Sequence, residues 1–125
     1  MKLGMNSVVF ATADIETALQ HVAWCGYEYV ELAAIAGMCE HVTLESDPQK
    51  VKDLLAQNNL IVTAMEAATN DVERLKSLYA LAAQIGIGVV NIGSGGVAGD
   101  EDSTKKSIEL MREFAKMAGD AGVLL

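Results

Sequence analysis

Short runs rich in β-branched and aromatic residues alternate along this chain with longer stretches in which apolar residues recur every three or four positions. The short runs signal strands and the longer period signals helices facing a core, so the pattern predicts four strand–helix units. Residues 3–10 read as a first strand, followed by a helix that Thr12 or Asp14 opens and in which Ile15, Ala18, Leu19 and Val22 share a face. Cys25-Gly26 ends it. Residues 27–32 form a second strand, with Glu28 and Glu31 carrying charge and Glu31 near its C-terminal end.

Residues 34–46 make the longest irregular connection, which contains Cys39 and His41. Asp47-Pro48 then opens a second helix, the carboxylate as cap and the proline at the first helical position, with Val51, Leu54 and Leu55 as its buried stripe. Asn58-Asn59 closes it, and residues 60–66 form a third strand. Asn70-x-x-Glu73 resembles a capping box for a third helix, whose Val72, Leu75, Leu78, Tyr79 and Ala82 lie along one face and which Gly86 ends. Val89, Val90 and Ile92 read as a fourth strand buried on both faces, interrupted by Asn91. A glycine-rich loop follows. The last helix, 103–119, is expected to bury Ile108, Met111, Ala115 and Ala118, with Phe114 and Met117 on its flanks. Val123-Leu-Leu125 begins a further apolar run.

Four such units with connections of this length imply a parallel α/β architecture in a single domain, 1–125. The apolar share is 51%, and the 11 glycines bring it to about 60%, above the roughly 45–50% of ordinary domains. That excess points to buried strands, an apolar contact surface, or both. Seventeen acidic against nine basic residues give a net charge of −8, which argues against nucleic acid and anionic membranes as partners. Two cysteines are too few for a disulfide scaffold, and a reduced, cytoplasmic setting is expected. Lys2, an apolar segment and Ala11-Thr-Ala13 outline a faint leader pattern, but Gly4, Asn6 and Ser7 interrupt it. No run is long enough to span a bilayer.

Gly93-x-Gly95-x-x-Ala98 matches the loose form of a dinucleotide fingerprint. Asp100, Glu101 and Asp102 stand where the pyrophosphate would meet a helix N-terminus and would repel it, so a loop above a strand end is the better reading.

Cys25-Gly-Tyr-Glu-Tyr-Val-Glu-Leu32, Ala82-Ala-Gln-Ile-Gly86 and Met111-Arg-Glu-Phe-Ala-Lys-Met-Ala-Gly-Asp-Ala-Gly-Val-Leu-Leu125, in that order, resemble the N-terminal half of the xylose isomerase-like TIM-barrel superfamily. This group holds sugar isomerases and epimerases related to endonuclease IV. The resemblance covers essentially the whole chain. It implies a parallel (β/α)4 half of a TIM barrel reaching the start of the fifth strand; an open flavodoxin-like sheet is the structural alternative. It further implies a sugar or sugar phosphate isomerase or epimerase, acting by metal-assisted proton transfer next to a carbonyl. The divalent metal of such barrels is held by carboxylates and histidines from the fifth strand onward, so no cofactor is expected in this chain and the isolated chain is expected to be inactive. The nuclease branch adds histidines at the third and fourth strand ends, where this sequence has Glu66 and Asn91. Together with the negative charge, that argues against nuclease activity.

Glu31, Glu66, Asn91 and Ser94 fall near strand C-terminal ends, where a barrel gathers its active site, and are the candidate substrate-binding residues. Carboxylates there can accept hydrogen bonds from sugar hydroxyls or act as acid or base. His21 and Cys25, spaced i, i+4, and Cys39-x-His41 offer soft ligands, but the first pair lies on the outside of the expected barrel. A buried Cys25 thiol and a solvated His21 explain that pair better. The competing function is a non-catalytic half-barrel, a small-molecule binding module or self-associating fragment. Four strands leave two open edges and an uncovered inner face, so a homodimer, or pairing with the missing C-terminal half, is expected. Val9, Val30, Ile61 and Val90 illustrate strand side chains whose exposure would favour association.

Overall fold

The computed structural model describes residues 3–125; Met1 and Lys2, the latter part of the faint leader pattern, lie outside the described residues. Strand β1 (Gly4–Asn6) is three residues long because Asn6 turns its side chain back on the chain. Its Oδ1 accepts the Val8 N–H at 2.9 Å and opens a 3-10 turn, Ser7–Phe10. This local bond competes with the sheet, so the expected strand over 3–10 stops early.

Helix α1 (Ile15–Trp24) is capped by Asp14, which accepts the Thr17 N–H at 2.8 Å, and fully buries Ala18, Leu19 and Val22. Strand β2 (Tyr29–Ile35) begins and ends later than the expected 27–32. The chain then doubles back as β3 (Cys39–Glu40), antiparallel to β2, so the connection expected to be irregular starts as a hairpin. Helix α2 (Pro48–Gln57) has the expected Asp47 cap, proline start and buried Val51, Leu54 and Leu55. Strand β4 (Ile61–Glu66) leads to α3 (Val72–Ile85), which is capped by Asp71, not Asn70. The Asp71 carboxylate accepts the Arg74 N–H at 2.9 Å, and Val72, first in the helix, is exposed rather than on the buried face. Strand β5 (Val90–Asn91) is followed by α4 (Glu101–Asp120). Its cap is Asp100, so the acidic residues assigned to the loop begin the helix, where its dipole favours them.

The strands lie in the order β1-β2-β4-β5, all parallel, and each helix packs beside the next. Sequential order with right-handed crossovers puts every helix on one face. A flavodoxin-like sheet reverses its strand order and covers both faces, so this is a half TIM barrel. After α4 the chain takes the next parallel place: Leu124 donates to the Gly88 carbonyl and accepts from Val90 N–H, both at 2.9 Å. Among the described residues no helix is long and apolar enough to cross a membrane.

The helix-facing side of the sheet supplies Val30, Leu32, Ala34, Met65 and Val90 to a core closed by Leu19, Val22, Leu54, Leu75, Leu78, Tyr79 and Phe114. Val30 and Val90 are therefore covered, whereas Ile61 and Val9 are 55% and 65% exposed. Val89 and Ile92 are only half-buried, so the fourth strand is not covered on both faces as its composition suggested. Helix α4 also departs from expectation. It buries Phe114 and Ala118, while Ile108 and Ala115 are exposed and Met111 is half-buried. Its contacts are on the α3 side, and Ile108, Met111 and Ala115 instead line, with Val97, an apolar groove of about 660 Å³.

Candidate functional site

Parallel partners in register point to the same face of a sheet, and here register brings four polar side chains together. Asn6 pairs with Glu31, Ala33 with Glu66, and Glu66 with Asn91. Glu66 reaches this face through an irregularity. Val30 pairs with Val62 but Glu31 pairs with Ala64, so Thr63 is an extra residue, its hydroxyl donating to the Val30 carbonyl at 3.2 Å. Without the bulge Glu66 would align with Ala34 and point into the apolar core. One inserted residue turns a core position into a site position.

The Asn6 Nδ2 group donates to Glu31 Oε2 at 2.9 Å and to Glu66 Oε2 at 2.7 Å. Because Asn6 Oδ1 is engaged by Val8 N–H, the amide cannot reverse without losing all three bonds. Asn91 Nδ2 donates to the other Glu31 oxygen. The two carboxylates thus stand close across one amide, half-buried at the C-terminal ends of the strands, and Glu66 Oε1 has no partner among the described residues. An ionised carboxylate accepts only, and these oxygens keep lone pairs free for hydroxyl donors.

The structure joins Glu31, Glu66 and Asn91 but leaves Ser94 apart. Ser94 is exposed on the loop after β5, its hydroxyl 3.5 Å from the Gly95 carbonyl, and it borders the α4 groove. Asn6 was missed because it read only as an interruption of an apolar run. The available signal was that each of the four parallel strands carries a polar residue at or near its end.

Behind the rim lies a second polar group. Ser7 is fully buried and His41 is 7% exposed. Ser7 Oγ accepts the Ala33 N–H at 2.9 Å and lies 2.9 Å from His41 Nδ1, while His41 Nε2 lies 3.2 Å from the Ala13 carbonyl. Cys39 Sγ is 3.5 Å from Nδ1. Burial pushes the Cys39 thiol up, partly offset by a backbone hydrogen bond from His41, which is the opposite of an activated thiolate. The Cys39-x-His41 pair is therefore packed inside the hairpin, not displayed for chelation. Cys25 is exposed, contrary to expectation, because it follows the last helical turn. His21 is not simply solvated: it sits between Phe10 and Trp24, with ring centroids 5.5 and 4.9 Å away, and its Nδ1 lies 2.8 Å from the Thr17 carbonyl. Among the described residues no three His, Cys, Asp or Glu side chains converge.

Arg74, unremarked in the sequence, fastens the hairpin from α3. Its Nη2 donates to Glu40 Oε1 at 2.5 Å and to the Ala34 carbonyl at 3.3 Å.

No protein-family model matches the sequence, nor does any curated protein. Solved structures do match in fold. The probable 3-DHS dehydratase AsbF of Bacillus anthracis superposes with a TM-score of 0.76 at 13% identity, over 98% of this chain and 50% of its own. A sugar phosphate isomerase/epimerase from Parabacteroides distasonis gives 0.71 at 17% identity, over 98% and 49%. A xylose isomerase-like TIM-barrel protein from Mycobacterium smegmatis, solved in complex with magnesium, gives 0.69 at 16%, over 98% and 53%. The chain spans about half the length of these structures, and its fold is that of half a TIM barrel, similar to theirs.

Proposed function

We propose that the rim formed by Asn6, Glu31, Glu66 and Asn91 binds a polyhydroxylated carbonyl compound, a sugar or sugar phosphate, as the N-terminal half of an isomerase or epimerase barrel. The observation that carries this reading is the convergence of two carboxylates through the single Asn6 amide. Glu31 and Glu66 accept sugar hydroxyls, Asn91 contributes its carbonyl oxygen, and Ser94 lines the outer approach from the β5 loop. Carbonyl chemistry at such a rim requires an acid or base next to the carbon that exchanges its proton, a role open to either glutamate.

The cluster does not fit a divalent ion by itself, since it offers two carboxylates whose oxygens are partly committed to amide N–H groups. Titration with Mn²⁺, Co²⁺ or Zn²⁺ is expected to show no stoichiometric site of micromolar or better affinity. Proton transfer belongs to a completed barrel in a cytoplasmic setting, and the isolated chain binds without turning over.

The completing partner is a second half-barrel, either another copy or a C-terminal half. The β1 edge, unpaired among the described residues, exposed Ile61 and the open α4 groove support this reading. Because residues 123–125 already lie beside β5, a second copy must offer its β1 to that segment.

Calorimetry with aldoses, ketoses and their phosphates tests the binding reading. Saturable binding is expected, weakened at least tenfold by Glu66→Gln or Glu31→Gln. Absence of binding across the panel, or binding by both variants as tight as that of the wild type, overturns it.

A further inference from the structure

The buried pair Ser7 and His41 has no place in the binding chemistry, yet it adjoins the site through two of the four strands that build it. Ser7 follows Asn6 directly. It also holds the N–H of Ala33, the register partner of Glu66, and the Ala33 carbonyl accepts Val42 N–H at 3.0 Å, one residue beyond His41. Thus the pair ties the end of β1, the end of β2 and the hairpin return at one point.

The bonds also have a direction. Ala33 N–H donates to Ser7 Oγ, which lies against His41 Nδ1, and His41 Nε2 lies against the Ala13 carbonyl. A carbonyl can only accept, so Nε2 carries a proton; with the imidazole neutral, Nδ1 is then an acceptor and the Ser7 O–H donates to it. A second proton on Nδ1 faces the Ser7 hydroxyl. Ser7 must then accept from both neighbours, and its own hydrogen is turned out of a fully buried position. The groups around His41 are Asp14 at the start of α1, the Cys39 thiol on β3, and Glu45, Asp47 and Lys50 along the cleft between the hairpin return and α2.

We infer that Ser7 and His41 are positioning residues of the rim, a proton-sensitive relay that holds Asn6 on the two glutamates while His41 is neutral and releases it when His41 is protonated. This deepens the proposed function by assigning that site a regulation, and in that respect it rests on it.

The test uses isotope-labelled full chain, followed by nuclear magnetic resonance from pH 8 to pH 5 without ligand. The Asn6 side-chain NH₂ signals are expected to shift with the midpoint of the His41 ring, not that of His21. In His41→Gln that transition should vanish. Asn6 signals that stay still through the range, or that move equally in His41→Gln, overturn the relay. A His41 ring that does not titrate in the range overturns it as well. The wild-type titration decides even if the variant fails to fold. Because no ligand is used, failure to bind sugars would sink the proposed function and leave this coupling standing, while unlinked titrations would do the reverse.

Discussion

The two faces of the parallel sheet are built from alternate residues of the same strands and differ in every other respect. The helix-facing side is closed: Val30, Leu32, Met65 and Val90 are fully buried against four helices. The opposite side carries Asn6, Glu31, Glu66 and Asn91 at one end and Ile61, 55% exposed, at the other. Stability therefore resides on one face, and the converging polar side chains are displayed on the other. A substitution's cost should depend on which face it touches more than on how apolar it is.

The largest expected effect breaks the closed face. Leu32→Ala should lower the unfolding free energy by about 2–5 kcal/mol, the range for emptying a fully buried leucine site. Ile61→Ala, an equally large aliphatic truncation on the open face, should cost about 0.5 kcal/mol or less in the monomer. Urea unfolding checks both, and equal losses would mean that Ile61 is covered in solution.

Ser7→Ala comes next. It removes the acceptor of a buried backbone N–H and the donor to His41, and should cost about 1–3 kcal/mol by the same measurement. A loss indistinguishable from zero would show that water or a rearranged His41 replaces the hydroxyl.

A smaller effect concerns acid. The backbone hydrogen bond from Thr17, with its side-chain counterpart, holds Asp14 below the ordinary aspartate value of 3.8. A carboxylate depressed by folding contributes stability above its unfolded pKa, and that contribution is lost as pH falls through the lower folded value. Asp14→Asn keeps a capping side chain but removes the titration. Below pH 4 the wild type should lose stability faster than the variant, and parallel pH profiles would contradict this.

The smallest effect is on reactivity alone. Cys25 should react with a thiol reagent in the native protein, whereas Cys39, buried and with its thiol pushed up, should react only on unfolding. Equal rates would show that the hairpin opens readily.

Helix positions and the closed face, though not the caps of α3 and α4, were legible because periodicity acts within a few residues. Asp47-Pro48 and the Val51, Leu54, Leu55 stripe behave as their spacing predicts. The open face was harder to read, since it depends on register between distant segments. Asn6 gains its meaning only from its parallel partner Glu31, and Glu66 faces the rim only because Thr63 is an extra residue. Nor does spacing within a helix say which neighbours are present. Ile108, Met111 and Ala115 form a sound apolar stripe, but α4 packs through Phe114 and Ala118.

Whether the open rim receives a polyhydroxylated ligand can be read from the side-chain amide signals of Asn6 and Asn91 during titration with a pentose and its phosphate, with cyclohexanol as control. Saturable movement of both signals with the sugars and none with the control is the predicted result. No saturable movement, or movement confined to the groove between Val97 and Ala115, would contradict it.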